Sequence, residues 1–149
     1  MREIKFRAYG IGLKEPRMFS AEELGIDQMT LSADGRGFVN IAPTLAGSVF
    51  YGDKMIPLQY TGLCDRNGKE IYEGDIVKWT TLISHIEYHS SIQFEEREGC
   101  WILWDGNPDK EQHRLASGAA SHCEVIGNIY ETPEKFHTLP NLEKELKSE

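Results

Sequence analysis

His85 and His89 stand four residues apart, a spacing that on a helix would set two imidazoles on one face for a divalent metal. They fall instead in a stretch of β-like composition, without the glutamate that accompanies such a pair in zinc proteases, and four positions along an extended strand is a long reach for one ion. His122-Cys123-Glu124 sets a thiol beside an imidazole. Neighbours along a strand point to opposite faces, so that nucleophile and base would not meet. The carboxylates Asp65, Glu70, Glu73 and Asp75 have a simpler use than metal or acid/base chemistry: aspartate closes turns by accepting from nearby backbone, and glutamate fills exposed strand positions. No G-x-S-x-G, G-x-G-x-x-G or phosphate loop occurs in the 149 residues. The expectation is no catalytic residue, no metal ligand and no cofactor, with a metal-dependent hydrolase built on His85, His89 and the carboxylates as the weakest of three function classes.

Those residues are set in a run of local folding signals from Leu58 to Trp79. Tyr60-Thr61-Gly62-Leu63 leads into Asp65-Arg66-Asn67-Gly68, and Asn-Gly is the strongest short hairpin signal because both residues tolerate positive φ. Lys69 to Tyr72 returns antiparallel, Glu73-Gly74-Asp75 reverses the chain again, and Ile76-Val77-Lys78-Trp79 restores period two with Val77 and Trp79 on one face. Upstream, Ile4 to Tyr9 reads as a first strand with Ile4, Phe6 and Ala8 on one face. Ser20-Ala21-Glu22-Glu23 fits a capping box, with Gly25 placed to stop a short helix. Asp34-Gly35 turns between Met29-Thr30-Leu31 and Phe38 to Ile41, and Ser48 to Tyr51 is a further strand. Downstream, Leu82 to Tyr88, Ser91 to Phe94 and Cys100 to Trp104 are strands, with Glu95 to Gly99 as an acidic turn. Glu124 to Tyr130 closes the fold, with a bulge or a close backbone approach at Gly127. Asp105 to Ser121 is a long polar excursion of the kind that is often functional. Asn141 to Lys147 would form a short terminal helix with Leu142 and Leu146 on one face.

These segments make a β-dominated α+β protein. Residues 1–57 form an N-terminal β subdomain with one short helix, 58–133 a barrel region and 134–149 a tail, with a connecting loop at Ala42 to Gly47. A chain of this length buries about 70% of its unfolded surface and needs no staples. Cys64, Cys100 and Cys123 are odd in number and widely spaced, which argues for reduced structural thiols. No apolar run approaches a membrane span and the charged start lacks a secretory signal, so a cytoplasmic protein is expected.

The net charge of -8 opposes nonspecific binding to nucleic acid. The first seventeen residues run the other way, with five basic against two acidic side chains, and Arg2, Lys5 and Arg7 are the candidate nucleic-acid contacts. A strand with its charges outward accounts for them more simply. Cys100-Trp101-Ile102-Leu103-Trp104 is apolar on both faces, which suits a strand buried on two sides or one whose outer face meets a partner. Trp79, Trp101 and Trp104 are accordingly the candidate partner-binding residues, although aromatics fill cores as readily as interfaces.

Three blocks in order give the chain a resemblance: Met1 to Ala8, Gln59 to Val77 with its Asp65-Arg66-Asn67-Gly68-Lys69-Glu70-Ile71-Tyr72-Glu73-Gly74-Asp75 centre, and Glu124-Val125-Ile126-Gly127-Asn128-Ile129-Tyr130-Glu131. Together they resemble the YopX family of small phage and prophage proteins over Met1 to about Pro133. The chain departs from that pattern at Pro133-Glu134-Lys135-Phe136, where the family usually reads Pro-Glu-Leu-Leu, and at Gly10 to Pro16, where it usually carries a polar, charged connection. The resemblance implies a β-rich architecture whose later half is similar to an SH3-type barrel, a phage or prophage origin in a bacterial cytoplasm, and no established activity. The leading expectation is a non-enzymatic interaction module that self-associates and engages a host or phage protein; the alternative is nucleic-acid binding through the basic N-terminal segment.

Overall fold

The computed structural model describes residues 3–41, 49–109 and 112–136 and is mainly β, with twelve strands and two short α-helices among them. The loop at Ala42 to Gly47, the terminal helix at Asn141 to Lys147 and the contact residue Arg2 lie outside the described residues. The chain divides into two compact units, Met1–Tyr60 and Thr61–Glu149. No helix among the described residues is long and apolar enough to cross a membrane.

In the first unit β1 (Phe6–Tyr9) pairs antiparallel with β2 (Met18–Phe19) and with the first residues of β6 (Ile56–Cys64). Ala8 is fully buried and Phe6 packs beside it, but pairing starts at Phe6, which leaves Ile4 62% exposed rather than inward. The helix α1 (Ala21–Ile26) has the expected capping box: the Glu23 N–H donates to Ser20 Oγ at 3.1 Å and the Ser20 N–H to Glu23 Oε1 at 3.3 Å. Gly25 does not stop this helix; it runs on to Ile26, and Gln28, at φ 55°, makes the reversal. Leu24 from its buried face meets Phe38 and Met55 in the small core. β3 (Met29–Leu31), β4 (Phe38–Asn40) and β5 (Val49–Phe50) form a three-stranded sheet whose first hairpin turns at Asp34-Gly35, as the sequence indicates.

The second unit is built on a five-stranded antiparallel sheet. β8 (Asp75–Thr80), β9 (Glu87–Glu95), β10 (Cys100–Trp104), β11 (His113–Arg114) and β12 (Glu124–Asn128) lie in the order β11-β10-β9-β8-β12. The first hairpin, between β6 and β7 (Glu70–Tyr72), closes at Asp65 to Gly68. The register sets Val77, Trp79, Tyr88, Ser90, Ile92, Phe94, Trp101 and Leu103 on one face. That face closes over a core holding Ile71, Leu115, Ala120 and Cys123, the last three supplied by the 105–121 excursion and its end. The described residues of the excursion carry β11 and the helix α2 (Ser117–Ala120).

The carboxylates of the central block close turns. Asp65 Oδ1 accepts the N–H groups of Asn67 and Lys69 at 2.9 Å each, and its Oδ2 accepts that of Val125 at 2.9 Å, fastening the first hairpin to β12. Burial pushes the Asp65 carboxyl up, but the N–H groups of Val125, Lys69 and Asn67 and the Lys69 charge outweigh it and hold the group below the ordinary aspartate range. Asp75 Oδ2 accepts the Tyr72 N–H at 2.8 Å across the second reversal, where Gly74 sits at φ 84°. At the far end Asn128 Oδ1 takes the N–H groups of Tyr130 and Glu131, at 3.1 and 2.8 Å. The register shifts between Val125 and Gly127, leaving Ile126 as the extra residue of a bulge, and Gly127 beside it is closely approached: a Cβ there would collide with Thr132 Oγ1.

The β8–β9 connection departs from the sequence reading. Leu82 to Tyr88 and Ser91 to Phe94 are not two strands; a single β9 begins at Glu87, and residues 81–86 form its turn. The Thr81 N–H donates to the Ile86 carbonyl at 3.0 Å, the Ile86 N–H to Thr81 Oγ1 at 3.1 Å, and His85 takes a φ of 54°. An apolar Leu-Ile pair is consequently carried at a turn tip rather than inside a strand.

Candidate functional site: an aromatic groove

Trp79 leaves the core face of β8 beside the turn tip and is fixed on three sides. Its Nε1–H donates to Ser90 Oγ at 2.9 Å, its ring stacks on Tyr88 at 4.8 Å and 20°, and the His113 ring meets it edge-on at 5.0 Å. Serine at position 90 is almost fully buried, so it is positioned to satisfy the indole without offering water a route. Around Trp79 opens a concavity of about 420 Å³, with buried Leu103 and Cys123 at its base, Ala119 and His122 on one wall, and Leu82 and Ile83 at the rim. Its size is that of a small-molecule or side-chain pocket.

Leu82 and Ile83 are 84% and 96% exposed, the most exposed of the large apolar side chains described. Among the described residues no carboxylate lines the groove, and its one permanently charged lining group is Arg114, which already pairs with Glu98. Cys123 lies beneath His122 but is no nucleophile: burial, with the Asp65 charge adding to it, pushes its thiol up to about 11, and its Sγ contacts the Ala119 carbonyl at 3.2 Å. The groove's described lining is mainly apolar, with threonine hydroxyls and two imidazoles beside it.

The three tryptophans do not form one surface. Trp101 packs against the core with Phe94 edge-on at 5.2 Å, on the same face of the sheet as Trp79. Trp104 points the other way with Cys100 and Ile102, into a separate concavity of about 600 Å³ shared with Arg97, Glu98 and Gln112. This alternation is why β10 reads as apolar on both faces. His85 and His89 are likewise apart in role: His85 is exposed in the turn, while His89 Nδ1 meets the Lys135 carbonyl at 2.9 Å and its Nε2 meets Glu87 at 3.0 Å. Among the described residues no three His, Cys, Asp or Glu side chains stand close enough to share a metal ion.

In the first unit Lys5 Nζ pairs with Glu3 at 3.1 Å and lies 4.9 Å from the centre of the Tyr60 ring, and Arg7 is half-buried. Arg17 pairs with Glu23 at 2.8 Å and stacks on Phe19 at 3.8 Å. Leu82, Ile83, His113 and Ala119 are groove residues that sequence reasoning did not single out, and His122, weighed there only as a base for Cys123, joins them. A Leu-Ile pair flanked by Thr80-Thr81 and Ser84-His85 was the available signal, since threonine and serine hydroxyls stabilise turns.

The family model described as YopX protein matches residues 5–137. The chain belongs to the YopX family. No curated protein sequence matches it. Its fold is similar to that of the crystal structure of an Enterococcus faecalis protein, 23% identical, which covers 90% of this chain and 98% of its own with a TM-score of 0.56. It is similar also to YopX from Bacillus subtilis, 17% identical over 91% of this chain and 97% of that one, with a TM-score of 0.53. At these identities the likeness is one of fold. The turn-closing residues Asp65, Asp75 and Asn128 and the groove residues all lie within the matched span.

Proposed function

We propose that this YopX-family protein is a non-enzymatic accessory protein of a phage or prophage, acting in the bacterial cytoplasm as a protein-interaction module. The barrel region, residues 58–133, is read as SH3-like, with Trp79 as the aromatic anchor of a groove that receives apolar side chains of a protein partner. Self-association belongs to the same reading. The observation that carries it is the Trp79 groove bordered by Leu82 and Ile83, whose 84% and 96% exposure is otherwise unrewarded. Aliphatic side chains of this size gain about 1.5–3 kcal/mol each on leaving water, so a partner covering both has an appreciable driving force at hand. Nucleic-acid binding draws less support, because Lys5 and Arg17 are already engaged with Glu3 and Glu23.

The test is affinity capture from bacterial lysate, with and without nuclease, using the wild-type chain and Ala119→Arg, which fills the groove from a half-buried position. Protein retained by the wild type and lost from the variant is the expected result. Capture of nucleic acid alone, abolished by nuclease, would overturn the reading in favour of the basic N-terminal segment.

A further inference from the structure

The described chain ends on the face of the five-stranded sheet that looks away from its core. The register sets His89, Ser91, Gln93, Cys100, Ile102 and Trp104 on that face. The turn at Pro133–Lys135 is fastened over it at two strands: Lys135 Nζ donates to the Ile126 carbonyl of β12 at 2.8 Å, and the Lys135 carbonyl meets His89 Nδ1 of β9 at 2.9 Å. β8 lies between those strands, so the turn bridges β8 and delivers Phe136, the last described residue, beside β9. The next strand over is β10.

That strand floors the second concavity, of about 600 Å³, with Cys100, Ile102 and Trp104. Ile102 stands opposite Gln93, four residues along β9 from His89 and one strand across, or about 14 Å away at ordinary strand spacings. The chain from Phe136 to Leu142 can span about 20 Å when extended, so Leu142 is tethered within reach. Its spacing also fits the floor. Leu142 and Leu146 are one helical turn apart, a rise of about 6 Å, and alternate side chains on a strand recur at about 6.7 Å, so the pair matches Ile102 and Cys100.

The segment has the local marks of a short helix: Asn141, a preferred capping type, follows Pro140, and Glu143 precedes Lys147 by four residues. So short a helix is marginal in water and gains its stability from a surface that covers its apolar side. The described lining of the concavity carries Glu95 and Glu98 with Arg97 and Arg114, equal numbers of each sign, so no excess charge repels a segment that itself mixes glutamate and lysine. Being on the same chain, the segment faces the concavity at an effective concentration that a separate partner would have to exceed.

We infer that the concavity on the outer face of β10 is the seat of this chain's own residues 141–147, with Leu142 and Leu146 laid against Ile102, Cys100 and Trp104. The inference is independent of the interaction reading above. It assigns Trp104 to the chain itself and leaves Trp79 as the tryptophan open to a partner.

Cys100, in the floor, reports the cover directly. Full-length wild type, the double variant Leu142→Asp/Leu146→Asp and the conservative pair Leu142→Met/Leu146→Met are labelled with iodoacetamide and read peptide by peptide by mass spectrometry, with exposed Cys64 and buried Cys123 as internal references. Cys100 should react about tenfold faster in the aspartate variant, because the burial of two leucines that holds the segment down is lost, while the methionine pair should match wild type. The Cys64 and Cys123 rates should not move. Equal Cys100 rates in wild type and the aspartate variant would overturn the proposal, as would a methionine pair that labels like the aspartate pair. A Cys123 rate that rises together with Cys100 would also overturn it, since the core rather than a cover would then have loosened. Wild-type protection that fades on dilution would give the concavity to the segment of a second copy and refute its assignment to the same chain.

Discussion

Replacing Asp65 separates its two duties in the second unit. Its Oδ1 organises the hairpin turn through Asn67 and Lys69, both exposed, and its Oδ2 reaches Val125 sixty residues along the chain. In Asp65→Ala the two turn N–H groups can turn to water, at about 0.5–1 kcal/mol each, while the Val125 N–H loses a charged acceptor in a partly buried position, at about 1.5–3 kcal/mol. The expected loss is about 3–4 kcal/mol. In Asp65→Asn the turn contacts survive through the amide oxygen, but an amide NH₂ now faces the Val125 N–H, donor against donor, and about 2 kcal/mol is lost. Urea unfolding followed by the fluorescence of Trp79, Trp101 and Trp104 reads both. With a slope of about 1.5 kcal/mol/M, the midpoints should fall by about 2–2.7 M and about 1.3 M. The acid dependence has a definite sign: a carboxyl held low in the folded state stabilises fully above its unfolded pKa, near 3.9, and that contribution is lost as pH falls below it. Asp65→Asn should therefore flatten part of the wild-type decline below about pH 4. An Asp65→Asn midpoint equal to wild type would refute the latch to Val125, whatever Asp65→Ala does.

Gly127→Ala should destabilise by about 2 kcal/mol or more, because the new methyl would displace Thr132 Oγ1, which accepts the Asn128 N–H at 3.0 Å; a thermal melt within error of wild type would contradict it. Ser20→Ala removes the acceptor of the Glu23 N–H and should cost the first unit about 1 kcal/mol, recovered by Ser20→Asp, as urea titration would measure. Under native labelling at pH 8, exposed Cys64 should react with iodoacetamide well before Cys123, whose thiol stands at about 11; equal rates by mass spectrometry would argue against a closed core under α2.

Much of the fold is legible because its signals are local. Asn67-Gly68, Asp34-Gly35 and the Ser20–Glu23 box each specify a turn or cap within four residues, and the register of β8 follows from period two. What escaped is what depends on distance or on very short elements. The Asp65–Val125 bond joins two blocks whose proximity no local pattern states. β11 has two exposed residues and α2 has four, too few for either period to register. Leu82-Ile83 resembles a strand start, and only the hydrogen bonds of Thr81 and the positive φ of His85 reveal a turn. The candidate site was half legible for the same reason: Trp79 is marked by its type, whereas its neighbours His113, Ala119 and His122 arrive through the long excursion.

The most direct measurement of groove binding is hydrogen exchange on the full chain, free and in the complex recovered by capture. Slowed exchange confined to residues 79–86 and 113–123, with β1 and β6 unchanged, is the predicted result. Protection centred on Lys5 and on Arg7 of β1, with the groove exchanging as in the free chain, would contradict the account.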